Sequence, residues 1–167
     1  MATGLRSAIT LIGLSLMVVA GAAWGWTQLS RPFPGKAEPP TCVESTYTEG
    51  DKIYPQDVTV SVLNASRREG LAGRTMQELV DQGFGEGDTE NAPQGTDVPF
   101  AEIWAPDPEN PAVKLLRTRF GQIEVVANDH DAAGLVVVVG DEFQTLREGR
   151  ASVNVHGDVV VCGPAVE

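Results

Sequence analysis

The sequence predicts an α/β fold in which one transmembrane helix and a proline-rich stalk precede a small mixed sheet with two helices. Three observations support this prediction. Residues 7–26 contain no charged side chain, residues 29–56 are rich in proline and polar residues, and residues 57–167 alternate between the hydrophobic periods of strands and helices. We therefore divide the chain into an N-terminal cytoplasmic tip and transmembrane helix (1–28), an extracytoplasmic stalk (29–56) and an α/β domain (57–167).

The uncharged segment, residues 7–26, has the length that a helix needs to cross the hydrocarbon core of a bilayer. Trp24 and Trp26 at its far end suit the membrane–water interface, where indole is favoured. A cleaved signal peptide is the alternative, because Arg6 precedes the segment and small residues lie at positions 20–23. We favour the anchor because the uncharged core is longer than that of a usual signal peptide.

The two cysteines, Cys42 and Cys162, lie near the two ends of the chain that follows the anchor. An isolated pair in a small exported domain is commonly a disulfide, and two unrelated thiols are the alternative. A disulfide requires the C-terminal domain to lie outside the cytoplasm, so we expect a single-pass protein of the cell membrane. The pair cannot fill the tetrahedral shell of zinc, and we expect no metal and no cofactor.

The chain is acidic, with 23 Asp and Glu residues against 12 Lys and Arg residues. All 23 acids but only nine of the bases follow Lys36, so the rest of the chain has a net charge of −14. This excess argues against a nucleic-acid partner, because the neutralisation of phosphates requires a basic surface. It favours solubility and repulsion from anionic surfaces.

A change of hydrophobic period marks the first strand and helix of the domain. Residues 58–63 (VTVSVL) alternate as a half-buried strand does. Residues 66–69 (SRRE) have the form of a capping box, and the apolar residues that follow have helical spacing, so we predict a helix over about 67–82. The glycines in residues 83–87 (GFGEG) follow this helix rather than open one, so we interpret them as turns and not as a phosphate loop.

The remaining elements of the domain follow from apolar runs and helix signals. They are a strand over 98–105, a helix that starts at Asn110 and Pro111 and ends at Gly121, a strand over 123–127, a strand over 135–139, and a hairpin or bent strand over 153–161. The continuous β-branched run at 135–139 (LVVVV) predicts a strand in the middle of a sheet, covered on both faces. The last element would bring Cys162 to its partner.

No catalytic constellation stands out. A Ser-His-Asp set is formally available from Ser66 or Ser152 with His130 or His156, but the chain has no G-x-S-x-G elbow. Residues 129–131 (DHD) have the chemistry of metal ligands, but three adjacent loop residues seldom converge on one ion, so we interpret them as an exposed acidic turn. We therefore expect no enzymatic activity.

The loop after the first strand is the candidate binding site. Asn64 and Ser66 lie between the end of a strand and the start of a helix, where free amides and the helix dipole favour an anion. Arg67 and Arg68 adjoin them, so the loop has the chemistry to hold a phosphate or a carboxylate. The alternative is an Asx turn at Asn64, a helix cap at Ser66 and two solvated arginines.

Two parts of the chain resemble the two ends of the LytR C-terminal domain family. The first part is residues 58–66 (VTVSVLNAS) with residues 70–72 (GLA) and 79–84 (LVDQGF), and the second is residues 136–143 (VVVVGDEF). Their order and spacing make the match specific over about residues 57–144.

The resemblance implies a small α/β module of actinobacterial cell-envelope proteins. Such a module stands either behind a LytR-CpsA-Psr domain, which transfers glycopolymers onto peptidoglycan, or alone behind a membrane anchor, and this chain is similar to the second kind. The arginine- and aspartate-rich polyprenyl-phosphate site belongs to the catalytic domain, so the resemblance supplies no catalytic residues.

The resemblance therefore implies a non-catalytic tethered protein that supports envelope integrity or cell-wall assembly, by binding wall polymer or by scaffolding wall enzymes. An accessory subunit that regulates a LytR-CpsA-Psr type transferase is the alternative. A hydrolase or transferase in its own right is disfavoured by the lack of a nucleophile, metal or paired-carboxylate pattern.

Overall fold

The structure is a computed structural model that describes residues 12–22, 24 and 42–165. Residues 12–22 and 24 are helical. Within the described part of the chain, no helix is both long and apolar enough to cross a membrane. Parts of the predicted transmembrane segment and residues 29–41 of the predicted stalk lie outside the described residues, so the transmembrane helix stays a prediction.

The domain contains nine strands, two α-helices and one 3₁₀ turn among its described residues. The strands are β1 (Val43–Tyr47), β2 (Lys52–Ile53), β3 (Thr59–Asn64), β4 (Gly85–Asn91), β5 (Ala101–Ala105), β6 (Glu124–Ala127), β7 (Leu135–Val139), β8 (Val153–Asn154) and β9 (Val159–Gly163). The helices are α1 (Leu71–Asp81) and α2 (Pro111–Arg117), and the 3₁₀ turn is Pro55–Asp57.

The central sheet has five strands in the order β4-β3-β7-β5-β6. Strand β3 is parallel to both of its neighbours, whereas β5 is parallel to β6 and antiparallel to β7. The sheet is therefore mixed, as predicted. The apolar run LVVVV forms the middle strand β7, and Val136–Val139 are at most 2% exposed.

Both helices pack on one face of this sheet. The apolar side of α1, which includes Leu71, Met76 and Leu79, joins α2 and the inward residues of β3, β5 and β7 in one buried cluster. The other face has a smaller cluster around Trp104 and Val138, and partly buried loop residues pack against it. The mixed α/β class is confirmed, and the two helices form one layer.

Helix α1 starts later than the capping-box pattern predicts. It begins at Leu71, and its N-cap is Gly70, whose φ of 72° lies in the left-handed region that favours glycine. Ser66 forms no helix cap, because its side chain bonds within the preceding turn. The predicted helix start at about 67 is therefore wrong by one turn.

Two short ribbons join the ends of the domain. Strand β1 pairs antiparallel with β9, and β2 pairs antiparallel with β8. Because β8 and β9 pair with these earlier strands, the hairpin predicted over 153–161 is wrong. The predicted stalk, 29–56, is wrong over β1, β2 and the 3₁₀ turn, which belong to the folded domain. Strand β1 is almost wholly exposed and polar, so it has no apolar period to reveal it.

The predicted disulfide joins Cys42 to Cys162 beside the β1–β9 ribbon. The two Cα atoms are 5.4 Å apart, and the residues are separated by 120 positions. This covalent link closes the domain at its two ends. A disulfide supports an extracytoplasmic location for the domain, as predicted.

Strand β4 replaces part of the turn that the glycines of 83–87 predict. It begins at Gly85 and has the polar sequence GEGDTEN, which gives no apolar period. A β-carbon at Gly87 would lie 2.5 Å from Oγ of Ser61, so glycine allows the two strands to approach. The acids of β4 line an outer edge of the sheet, where charge opposes pairing with another chain.

Candidate functional site

The predicted binding loop is closed by hydrogen bonds among its own residues. Oδ1 of Asn64 accepts from the backbone N and the Oγ of Ser66, at 2.9 and 2.7 Å, and Nδ2 of Asn64 donates to the Arg68 carbonyl at 2.9 Å. Oγ of Ser66 in turn accepts from the Arg68 N at 3.0 Å. The loop thus forms the Asx turn that the sequence left open as the alternative.

The two arginines of this loop have different environments. Arg68 is half-buried, and its guanidinium donates to the carbonyls of Phe143 and Asp141, just after β7. Arg67 is exposed, and its backbone N donates to Oδ1 of Asp141 at 3.0 Å. The Asp141 carboxylate therefore accepts the hydrogen bond from the Arg67 backbone amide, which we predict to bind an anionic ligand. Ligand binding by Asn64, Ser66, Arg67 and Arg68 stays a prediction.

A larger candidate site is a polar cleft of about 660 Å³ beside α2. Its basic side chains are Lys52 of β2, Lys114 of α2, Arg150, and His156 of the turn between β8 and β9. Its other polar residues are Asp107, Glu109, Asn110, Ser152 and Asn154. We call this site the polar cleft.

Strand pairing and helix capping position the walls of the polar cleft. The β2–β8 register places Lys52 opposite Asn154. Oδ1 of Asn110 accepts from the Ala112 N at 3.0 Å and so caps α2, while its Nδ2 donates to the Val160 carbonyl at 3.0 Å. Asn110 thereby holds the start of α2, and with it Lys114, against strand β9.

The backbone of Arg150 is fixed at the same cleft. Its N donates to Oγ1 of Thr118 at 3.1 Å, and its carbonyl accepts from Nη2 of Arg119 at 2.9 Å. Nζ of Lys114 forms an ion pair with Oε2 of Glu109 at 3.1 Å, but both side chains are mostly exposed, so this pair contributes little stability. Lys114 can exchange this partner for a ligand at small cost.

The charge of the polar cleft differs from that of the domain around it. Three of the nine Lys and Arg residues that follow Lys36 line this one cleft, although the chain from residue 37 onward has a net charge of −14. Three cations and two carboxylates, Asp107 and Glu109, line the cleft, so its formal charge is +1 and opposite in sign to that of the domain. The cleft therefore suits an anionic group that is surrounded by hydroxyl or amide groups.

The sequence gives no signal for the polar cleft. Its basic residues are spread from position 52 to position 156, and they come together only through the β2–β8 pairing and the Asn110 contact with β9. Lys52 lies in the predicted stalk, and we interpret His156 from the sequence as a hairpin tip only. The sequence does not predict the pairing of β2 with β8, and this pairing brings Lys52 to the cleft.

The formal catalytic residues show no triad. Ser66 bonds within its own loop, and Nδ1 of His130 accepts from the Ala132 N at 3.0 Å. Ser152 and His156 both line the polar cleft, but no hydrogen bond joins them among the described residues. The part of the chain that the structure describes also has no group of three His, Cys, Asp or Glu residues that could hold a metal.

Fold and site together define a small mixed α/β domain that is closed by a disulfide between its ends and has a basic polar cleft. The model of one protein family, LytR cell envelope-related transcriptional attenuator (LytR_C), matches residues 57–143. Because this match spans just over half of the chain, the protein belongs to this family. The resemblance to the LytR C-terminal domain is thereby confirmed, and the protein is cell-envelope-related.

One solved structure supports the fold. The chain is similar to the soluble domain of a conserved hypothetical secreted protein from Mycobacterium marinum, with a TM-score of 0.50 and 23% sequence identity, over 61% of this chain and 69% of that chain. At this identity the likeness shows the fold alone. No curated protein matches the chain.

Proposed function

We propose that the protein is a non-catalytic, membrane-tethered cell-envelope protein that supports wall assembly by binding an anionic wall polymer in the polar cleft. The observation that supports this proposal is the convergence of Lys52, Lys114 and Arg150 in one cleft of an acidic domain. Family membership gives the cell-envelope setting. The uncharged segment, residues 7–26, supports the tether.

The composition of the polar cleft suits a polymer that combines anions with hydroxyl groups. Ammonium and guanidinium groups bind phosphates and carboxylates by charge-assisted hydrogen bonds. The side chains of Asn110, Asn154 and Ser152 add donors and acceptors for sugar hydroxyls. The excess acids elsewhere repel the same polymer, so they confine binding to the cleft.

We propose the Asn64–Arg68 loop as a secondary contact for the same polymer. Its exposed Arg67 side chain is the group that would reach the ligand, since Arg68 already binds the carbonyls that follow β7. This contact is expected to contribute less than the cleft does, because a single exposed arginine gains little from one ionic contact.

The test is sedimentation of the full-length protein with purified, polymer-bearing cell walls. Replacing Lys52 and Lys114 with glutamine should weaken binding at least tenfold, because each lost charge-assisted contact contributes about 1.5 to 3 kcal/mol. Replacing the exposed Arg74 and Arg117 with glutamine is the matched control, which removes the same charge outside the cleft. Arg67→Gln tests the secondary contact.

Two further measurements, at raised ionic strength and with walls that lack the anionic polymer, complete the experiment. Binding by the parent protein should fall as ionic strength rises and should be lost with walls stripped of anionic polymer. If the Lys52 and Lys114 variant binds walls as well as the control does, the cleft is not the polymer site. The alternative, an accessory subunit that regulates a LytR-CpsA-Psr type transferase, would then be favoured.

A further inference from the structure

A second cavity, of about 540 Å³, lies where the C-terminal end of α1 meets the segment that follows α2. It is lined by Pro55, Gln82, Arg119, Glu148, Gly149 and Ala151, and it shares no residue with the polar cleft. We call it the Arg119 cavity. Two of these residues, Gln82 and Arg119, each have one buried polar atom without a partner among the described residues, and these atoms indicate the chemistry of the ligand.

Arg119 is a buried cation without a close counter-ion. Its side chain is 5% exposed, its guanidinium lies over the Phe84 ring at 5.4 Å, and its Nη2 donates to the Arg150 carbonyl at 2.9 Å. Its buried Nε has no hydrogen-bond partner, and no carboxylate of the described residues lies within 4 Å of the guanidinium. A buried guanidinium in this state is costly unless an anion reaches it.

Gln82 has a buried acceptor atom without a partner, which complements the unpartnered donor of Arg119. Its Oε1 is buried in the wall of the same cavity and accepts no hydrogen bond within the described part of the chain. Two residues of the cavity wall therefore have a buried N–H donor with positive charge and a buried carbonyl acceptor that are both unpartnered among the described residues. A ligand that satisfies both has a carboxylate beside an N–H group.

Gly149 keeps the guanidinium in this position. A β-carbon at residue 149 would lie 2.6 Å from Nη1 of Arg119 and 2.3 Å from Oγ1 of Thr118, so any other residue would displace the arginine. Burial lowers the pKa of the Arg119 guanidinium, and the nearby charge of Glu148 opposes this shift. An arginine guanidinium stays protonated in proteins.

A purely structural role accounts for only part of this arrangement. The backbone carbonyl of Arg119 accepts from the Arg147 N at 2.7 Å, and Nη2 holds the Arg150 carbonyl, so the residue does fix the segment after β7. A neutral donor would serve those contacts equally well. The structural role does not account for the positive charge of Arg119, for its unpartnered Nε or for the unpartnered Oε1 of Gln82.

We propose that the Arg119 cavity binds the carboxyl end of a peptide, with the terminal carboxylate on Arg119 and the last amide N–H on Oε1 of Gln82. The small walls formed by Pro55, Gly149 and Ala151 favour a small terminal side chain, such as that of alanine. Glu148 lines the same cavity and is exposed, so its carboxylate competes with the ligand. This inference does not depend on polymer binding in the polar cleft.

The test uses the full-length chain in detergent and two dipeptide probes, N-acetyl-D-alanyl-D-alanine and N-acetyl-L-alanyl-L-alanine. Either probe should shift the NMR signals of the Arg119 Nε–H and the Gln82 side-chain amide in a saturable manner. Preference for the D form identifies a wall stem peptide as the source, and preference for the L form identifies a protein C-terminus. The same probes with a carboxamide end should bind at least tenfold more weakly.

Variants of neighbouring residues keep the test independent of folding. Glu148→Gln should bind the carboxylate probes several-fold more tightly, because it removes the competing anion. Gln82→Met should weaken binding, and the exposed Arg147→Gln, which changes a residue that does not line the cavity, is the control that should leave it unchanged. If carboxylate and carboxamide probes shift the two signals equally, or if neither shifts them, Arg119 is a structural residue and the proposal is wrong.

Discussion

Arg68 links the predicted binding loop to the rest of the domain. Its guanidinium donates to the carbonyls of Phe143 and Asp141, and these contacts fasten the loop to the end of β7. Hydrogen bonds from a charged group contribute about 1.5 to 3 kcal/mol, so Arg68→Met should lower the free energy of unfolding by about 2 kcal/mol. Urea titration followed by tryptophan fluorescence measures this loss.

Arg67→Met is the matched control for this substitution. The Arg67 side chain is exposed, so its replacement should change the free energy of unfolding by less than about 0.5 kcal/mol. Equal losses for the two variants would contradict the structural role that we assign to Arg68.

Asp51 gives the turn between β1 and β2 a pH dependence. Its Oδ2 accepts from the N and the Oγ1 of Thr48, at 2.7 and 3.0 Å, and these hydrogen bonds hold the pKa of Asp51 below its ordinary value. Because the folded pKa is the lower one, the stabilisation is present above the unfolded pKa, about 3.9, and is lost as the pH falls through the folded pKa.

Asp51→Asn should therefore have a lower Tm than the parent at pH 7, and the two Tm values should converge below about pH 4. Thermal unfolding followed by circular dichroism between pH 7 and pH 2 measures both. Asp129→Asn, in an exposed turn, is the control and should keep the Tm of the parent at pH 7. A constant difference between Asp51→Asn and the parent at every pH would refute this role for the carboxylate.

At the scale of elements, the strands and helices that bury apolar residues were predictable from the sequence. The run LVVVV gives β7 its observed bounds, because a short continuous run of β-branched and leucine side chains favours a strand that is covered on both faces. The strand GEGDTEN and the ribbon strand β1 were not predictable, because their polar residues have no hydrophobic period. Their pairing with distant partners makes them strands.

The candidate sites were likewise predictable only where they depend on residues that are close together in the sequence. The Asx turn joins Asn64 and Ser66, which are two positions apart, and the sequence predicts it as the alternative to a ligand-binding loop. The polar cleft and the Arg119 cavity depend on contacts between residues up to about a hundred positions apart. Local spacing alone does not predict such contacts.

The β1–β9 ribbon depends on the disulfide for its stability. Val43 and Val160 are 46% and 50% exposed, so one side of the ribbon buries little apolar surface, while Val161 on the other side packs in the core. Replacing Cys42 and Cys162 with serine should lower the free energy of unfolding by about 3 to 5 kcal/mol, because the link closes a loop of 120 residues. Hydrogen exchange should show that the β1 and β9 amides lose protection before those of β7.

Reduction of the parent protein is the control for the serine variant. A reductant should lower the Tm of the parent and leave the Tm of the serine variant unchanged. Mass spectrometry of the non-reduced parent should find the peptide that crosslinks Cys42 to Cys162. Free thiols at both positions in protein from the envelope would contradict the bond.

At the scale of the whole molecule, we predict that the mature protein keeps its N-terminal segment and faces outward. Residues 7–26 are long enough to stay in a bilayer, and Trp24 and Trp26 suit its outer edge. Protease added to spheroplasts should digest the C-terminal domain and leave a short fragment in the membrane. A secreted form that begins after Ala23 would instead establish a cleaved signal peptide.

The disulfide also determines how the domain responds to mechanical load. Tension that is applied through the N-terminal side of the chain enters the folded domain at Cys42, directly before β1. An antiparallel ribbon pulled at an open end unzips one hydrogen-bonded pair after another, and this end of the β1–β9 ribbon is closed by a covalent bond. A pulling force therefore passes into β9 through sulfur as well as into β1 through the backbone, and the ribbon cannot unzip from this end while the bond is intact.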